Sequence, residues 1–215
     1  MAREMTVEGR AELSLAPDCI RVELRPETLC KEYAAAVETQ NAVVSTLQKA
    51  LLAAGLRQEA VTLADFSIRA EYHSHRPPDG NCEENFVGYR CSQLLRVKMA
   101  CEATLLGKVL AALTECAACP QLSVQFTVEH PEEVRDQLIA KAVADARHKA
   151  KILVQAAGCT LGELLRMEYG GETPSLYSPT RYALESGGLC RAAMPEIAPE
   201  AITVSDTVRM VWALS

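Results

Sequence analysis

Apolar and polar residues alternate from the start of the chain. Met5, Val7, Ala11, Leu13 and Leu15 share one face and Thr6, Glu8, Arg10, Glu12 and Ser14 the other, the period of a half-buried β-strand. Ala16-Pro17-Asp18 reads as a turn, and Ile20, Val22 and Leu24 against Arg21, Glu23 and Arg25 predict a second strand, so the two are expected to pair as a hairpin. The period then changes. Tyr33, Val37, Val44, Leu47 and Leu51 form a helical stripe over residues 30–54, with Gly55 as the stop. Alternation returns over 61–72 but switches parity at Ala64 and Asp65, which predicts a bulge. Beyond the polar segment HSHRPPDGNCEEN, residues 87–101 read as a fourth strand and 104–116 as a second helix.

Leu122, Val124, Phe126 and Val128 mark a fifth strand. Pro131 suits the first turn of a third helix, with Glu132 and Glu133 placed well against its positive end, and Gly158 closes it. Val134, Leu138, Ala142, Ala146, Leu153 and Ala157 are its expected buried stripe. Residues 164–169 read as a sixth strand and 170–201 as a long irregular segment. Ile202, Val204, Val208, Met210, Trp212 and Leu214 alternate in a last strand. Every strong strand is apolar on one side only, whereas parallel sheets covered on both faces carry continuous apolar runs. The expected fold is therefore α+β: a largely antiparallel sheet, mixed at most in part, of about seven strands with about three helices on one face, in one domain over 1–215.

Charge narrows the partners. The net charge is −6 and aromatics make up 5% of the chain, a poor basis for holding polyphosphate or stacking bases. The basic run Arg147, His148, Lys149 and Lys151 accordingly reads as the solvated flank of a packing helix, with Lys149 one turn from Asp145, rather than as a nucleic-acid contact. No apolar run reaches the roughly 20 residues that a membrane-spanning helix needs. Nine cysteines are scattered along the chain, several in apolar rows, as Cys91 and Cys101 are among Tyr89, Leu95, Val97 and Met99. Unpaired buried thiols suit a reducing compartment, and the chain opens directly on a strand pattern without an export-type apolar region, so a cytoplasmic location is expected.

Candidate chemistry is sparse. Cys116 and Cys119 form a Cys-x-x-Cys, but at a helix end, where the dipole disfavours thiolate, and without a second ligand pair for zinc, so they read as structural thiols. His73 and His75 lie at alternate positions of a strand end, and Cys82 or Glu83 could complete a weak metal site; an ordinary polar strand end is the simpler reading. There is no phosphate-binding glycine loop, no G-x-S-x-G and no H-E-x-x-H. No catalytic residue, no cofactor and no metal ligand is assigned.

Three segments carry a resemblance. TVEGRAELSLAPD (6–18), ADARHKAKILVQAAGCTLGEL (144–164) and PEIAPEAITVSDTVRMVWAL (195–214), with Gly88 and Tyr89 between them, resemble in order and spacing the SIMPL-domain family, which includes exported proteins linked to oxidative-stress defence and a kinase-associated adaptor. The resemblance implies an α+β domain, a tendency to form homo-oligomers and no catalytic residues to carry over. The expected function is a self-assembling or protein-binding module, stress-related in the manner of its relatives, that acts on no nucleic acid. The alternative is a metal- or thiol-dependent stress-defence protein using His73, His75 and cysteines. Within 170–201, Leu176, Tyr177, Tyr182, Leu184, Leu189, Met194 and Ile197 are too apolar for a bare linker and are expected to take part in assembly.

Overall fold

The computed structural model describes residues 3–75, 83–116, 121–170, 173–184 and 198–215. Nine strands and three α-helices occur among them: β1 (Glu4–Leu15), β2 (Cys19–Arg25), β3 (Glu27–Cys30), α1 (Tyr33–Ala53), β4 (Val61–His75), β5 (Glu83–Ala100), α2 (Ala103–Glu115), β6 (Gln121–Thr127), α3 (Pro131–Ala157), β7 (Leu161–Glu168), β8 (Tyr177–Leu184) and β9 (Ile202–Leu214). The fold is α+β with antiparallel strands, as expected, but the strands divide between two sheets.

The chain separates into two compact units. The first draws on 1–17, 127–179 and 199–215 and holds the sheet β1-β9-β7. Here β1 and β9 pair without a shift from Glu4 opposite Ala213 to Leu15 opposite Ile202. This corrects the expected hairpin of the first two strands: β1 pairs with β9, and β2 with β5. None of Ala16, Pro17 and Asp18 adopts the positive φ that a two-residue hairpin turn requires, and the chain passes there from one sheet to the other.

Helix α3 covers one face of this first sheet. Pro131 opens it, and Gly158, at φ 68°, ends it in the left-handed conformation that glycine adopts without steric cost. Its buried stripe is Leu138, Ala142, Ala146, Ala150 and Val154. The expected Leu153 and Ala157 are exposed instead. Four-residue steps carry the buried face to 150 and 154, and the larger side chain at 153 misled the reading. Three small alanines let the helix lie close: a Cβ placed on Gly9 of β1 would stand 2.1 Å from the Ala142 carbonyl oxygen and 2.6 Å from the Ala146 Cβ.

The second unit draws on 18–126 and 180–198. Its sheet runs β3-β5-β2-β6-β8, with β4 added to β5. The anticipated bulge is present, as the β4–β5 register shifts between Leu63 and Asp65. Leu47 and Leu51 of α1 and Leu106, Val109 and Leu113 of α2 pack on Ile20, Val22, Leu95, Val97, Val124 and Phe126. Gln40 takes a wholly buried place in the α1 stripe, and its Nε2 donates to the Pro26 carbonyl oxygen at 2.9 Å. Tyr33, expected in that stripe, is exposed.

Two strands escaped the sequence pattern. One is β3, four residues long after Pro26; the other is β8, inside the segment expected to be irregular. The segment 170–201 lacks a clear period, yet it holds β8, which ends the sheet order, where the missing N–H of Pro179 is tolerated.

Candidate functional site

Strand β5 has 18 residues, but β2 pairs with it only from Leu95 to Ala100 and β3 only from Tyr89 to Ser92. Between Glu83 and Gly88 its one strand neighbour is β4. The end of the hairpin is thus a two-stranded ribbon, which in isolation is marginal in water. Side chains reinforce it. Tyr33, Tyr89, Phe86 and Tyr72 form a chain of edge-to-face rings with centroids 5.5, 5.3 and 5.6 Å apart, a geometry that suits the aromatic quadrupole. Arg90 donates through Nη2 to Glu71 Oε1 at 2.8 Å and through Nε to Glu71 Oε2, and reaches Glu27 Oε2 at 3.3 Å. The Arg90 hydrogen bonds hold the Glu71 carboxyl below its ordinary range, and Glu71 in turn raises the guanidinium.

The same ribbon is unusually apolar for a surface. Four of the chain's ten aromatic residues lie in its ring chain, and Tyr33, Tyr72 and Phe86 are each about half exposed. Further along β4, Leu63 is 59% and Phe66 45% exposed. On its side away from β5, β4 has no strand partner among the described residues, which leaves its backbone donors and acceptors on that side without a strand of those residues to pair with. Exposed rings beside an open edge are features that docking surfaces use in general, where backbone bonds give affinity and side chains selectivity.

The first unit holds a different polar feature. Asp206 occupies the buried row of β9 and accepts from the Thr207 N–H at 2.7 Å and the Tyr169 hydroxyl at 2.8 Å. That hydrogen bond, reinforced by burial, raises the Tyr169 phenol, so it remains protonated at neutral pH. An open cavity of about 490 Å³ on this unit is lined by Glu8, Met167, Glu168, Tyr169, Thr207 and Arg209. Position 206 was detectable in sequence as a carboxylate interrupting the row Ile202, Val204, Val208 and Met210, a signal the apolar pattern concealed.

The expected candidates do not converge. His73 is exposed on β4 opposite Asn85; the side chains of His75 and Glu83, and Cys82 altogether, lie outside the described residues. Cys116 caps the end of α2, and Cys119 also lies outside the described residues. Burial raises the thiols of Cys91, Cys101 and Cys116, which disfavours thiolate. Among the described residues no three His, Cys, Asp or Glu side chains gather as metal ligands, and no helix is long and apolar enough to cross a membrane. Of the basic run, Lys149 is engaged: its Nζ lies 2.7 Å from Asp145 Oδ2 and 3.3 Å from the Glu8 carbonyl oxygen. Arg147, His148 and Lys151 point to solvent.

The segment expected to assemble is partly consumed by the fold. Leu176 lies in the core of the first unit, and Tyr182 packs edge-on against Phe126 in the second. The Leu184 side chain and the residues Leu189, Met194 and Ile197 lie outside the described residues.

Comparison with known proteins gives a match to the SIMPL family, described as protein of unknown function (DUF541), over residues 5–212. The 26 kDa periplasmic immunogenic proteins of Brucella melitensis biotype 1 and Brucella abortus strain S19 are each 23% identical over 163 residues, 76% of this chain and 65% of the relative. The chain therefore spans just under two thirds of the curated relatives' own length. Among solved structures, an uncharacterized conserved protein from Listeria innocua aligns over 96% of this chain and 92% of that one, at 12% identity and a TM-score of 0.23. The regulatory subunit of aspartate kinase from Thermus flavus aligns over 97% and 89%, at 8% identity and a TM-score of 0.17. At such scores neither structure bears on fold or function.

Proposed function

The chain belongs to the SIMPL family, a family of unknown function, and we propose that this member is a non-enzymatic module that works by self-assembly and protein binding through the β4 edge and its aromatic ribbon. One observation carries the reading: an edge strand with no strand on its outer side among the described residues sits beside exposed Leu63, Phe66, Tyr72 and Phe86, a combination that folded proteins ordinarily blunt with charge, proline or a covering element. The assembly surface moves, in this reading, from 170–201 to the β4–β5 hairpin. Sedimentation velocity across a concentration series tests it. Reversible self-association by tens of micromolar is expected, and a monomer throughout that range would overturn it.

Location is a separate proposal. The Brucella relatives are named periplasmic, but nine cysteines, with Cys19 and Cys91 buried and Cys30, Cys101, Cys116 and Cys159 partly so, favour a reducing cytoplasm for this chain. Alkylation without reductant, followed by denaturation and mass spectrometry, should find mainly free thiols. Several native disulfides would instead place the protein in an oxidising compartment.

A further inference from the structure

We infer that β4 pairs antiparallel with β4 of a second copy of this chain, about a two-fold axis at Ser67. The inference rests on the self-assembly reading above and names both its partner and its register. In an antiparallel pair related by a two-fold, the residue at position i lies opposite the partner residue equally far beyond the axis. Centred on Ser67, the sequence Asp65-Phe66-Ser67-Ile68-Arg69 is complementary to itself: Asp65 meets Arg69 twice, Phe66 meets Ile68 twice, and Ser67 meets its own copy. Ala64 then lies opposite Ala70.

The faces agree with this pairing. Asp65, Ser67 and Arg69 share one face of β4, with Leu94, Ser92 and Arg90 opposite them on β5, whereas Phe66 and Ile68 share the other, opposite Gln93 and Cys91. Opposite charges would therefore meet on one side of the joined sheet and apolar groups on the other. Within the chain, Asp65 makes no ion pair among the described residues, and Arg69 acts on Glu71 only from a distance, since the Glu71 carboxylate is taken by Arg90. Both Asp65 and Arg69 are exposed.

Charge also excludes the nearest alternatives. A side chain keeps its face under the two-fold only if some residue meets its own copy, so the neighbouring registers centre on Phe66 or Ile68. Centring on Ile68 sets Asp65 opposite Glu71, and centring on Phe66 sets Arg69 opposite Leu63 and leaves both charges unmatched. The other exposed apolar edge, β7, has a shorter version of the pattern in Leu165-Arg166-Met167-Glu168-Tyr169. There Arg166 and Glu168 already pair at 3.1 Å, and the centre lies one residue from the strand end. Strand β4 has 15 residues and room on both sides of its centre.

The experiment is a charge swap in the full chain, read by sedimentation velocity. Asp65→Arg and Arg69→Asp each place two like-charged contacts across the axis and should weaken self-association roughly tenfold, while the double swap should return it to near the wild-type value. A wild-type monomer overturns the self-assembly reading and this inference together. Self-association unchanged in both single variants overturns only this inference and moves the contact to another surface, such as β7. Weakening in all three variants overturns the register. Ser67→Cys supplies an independent measurement in an otherwise unaltered chain: a short thiol-to-thiol cross-linker should join the two peptides carrying position 67, identified by mass spectrometry, and absence of that species from cross-linked dimer overturns the pairing.

Discussion

Two sheet edges in this molecule treat their free backbone in opposite ways. At β1, helix α3 closes the edge: Asp145 Oδ2 accepts from the Arg10 N–H at 2.8 Å, and Lys149 donates to the Glu8 carbonyl at 3.3 Å, so the two residues flanking Gly9 find partners one helical turn apart. Gly9 makes this possible, because only a residue without Cβ lets the alanine face of α3 approach so near. At β4 nothing comparable covers the strand among the described residues, and the exposed side chains along it include Leu63, Phe66 and Tyr72. Among the described residues, then, the β1 edge is closed by side chains of a helix and the β4 edge is not. An edge left open and apolar is an aggregation hazard unless a partner occupies it.

The sharpest way to break the closed edge is to give position 9 a side chain. Gly9→Val places its Cβ against the Ala142 carbonyl and the Ala146 backbone, neither of which can rotate away. The cost should reach about 3 kcal/mol, the upper end for overpacking, because the helix must lift from the sheet. Trp212 is the only tryptophan and lies in this core, so its emission during chemical denaturation reports the loss directly. A stability within 1 kcal/mol of wild type would show that α3 does not depend on the close approach.

A milder lesion leaves the packing intact and removes the polar closure. Asp145→Ala deprives the Arg10 N–H and Lys149 of their carboxylate, at a cost of about 1 kcal/mol because both sites are open to water. Asp145→Asn, which keeps an acceptor but not the charge, should fall between Asp145→Ala and wild type in thermal denaturation. Equal effects of the two substitutions would mean that charge alone matters, and that the backbone bond contributes nothing.

The closed edge was half legible in sequence and the open one hardly at all. The apolar row of β1, the bulge near Ala64, the proline start and glycine stop of α3, and the Asp145–Lys149 pair all follow from period and local geometry. Gly9 sat unremarked in an apolar row, because the tight contact that requires it comes from a helix more than 130 residues away. Gln40 and Asp206 were missed for a related reason: each is a polar residue in an apolar row, and the groups that bond Gln40 Nε2 and the Asp206 carboxylate, the Pro26 carbonyl and the Tyr169 hydroxyl, come from outside its own element. The ribbon was invisible, since alternation marks β4 and β5 as strands but cannot say where the neighbours β2 and β3 stop. Metal and thiol chemistry attracted attention at His73 and Cys116 through residue type, while the surface that distinguishes this unit is made of ordinary aromatics.

The smallest expected effect concerns what holds the open ribbon in shape. Arg90, with Arg69 and His73 nearby, keeps the Glu71 carboxyl below its ordinary range, while Glu27 shares the guanidinium. A carboxylate whose folded pKa lies below its unfolded one stabilises the fold above the unfolded value, here near 4.5, and loses that contribution as pH falls through the folded value. Amide exchange in the ribbon near Tyr72 and Phe86, corrected for its intrinsic pH dependence, should therefore quicken as pH falls below the unfolded value near 4.5 and through the lower folded one. Glu71→Gln should exchange faster at the upper pH and lose the dependence, with little change in global melting because surface ion pairs contribute little. Wild-type exchange that stays flat across this window would mean that the edge-to-face chain of Tyr33, Tyr89, Phe86 and Tyr72 orders the ribbon alone. The open edge would then be presented by aromatic packing, where the closed one is secured by a carboxylate and a lysine.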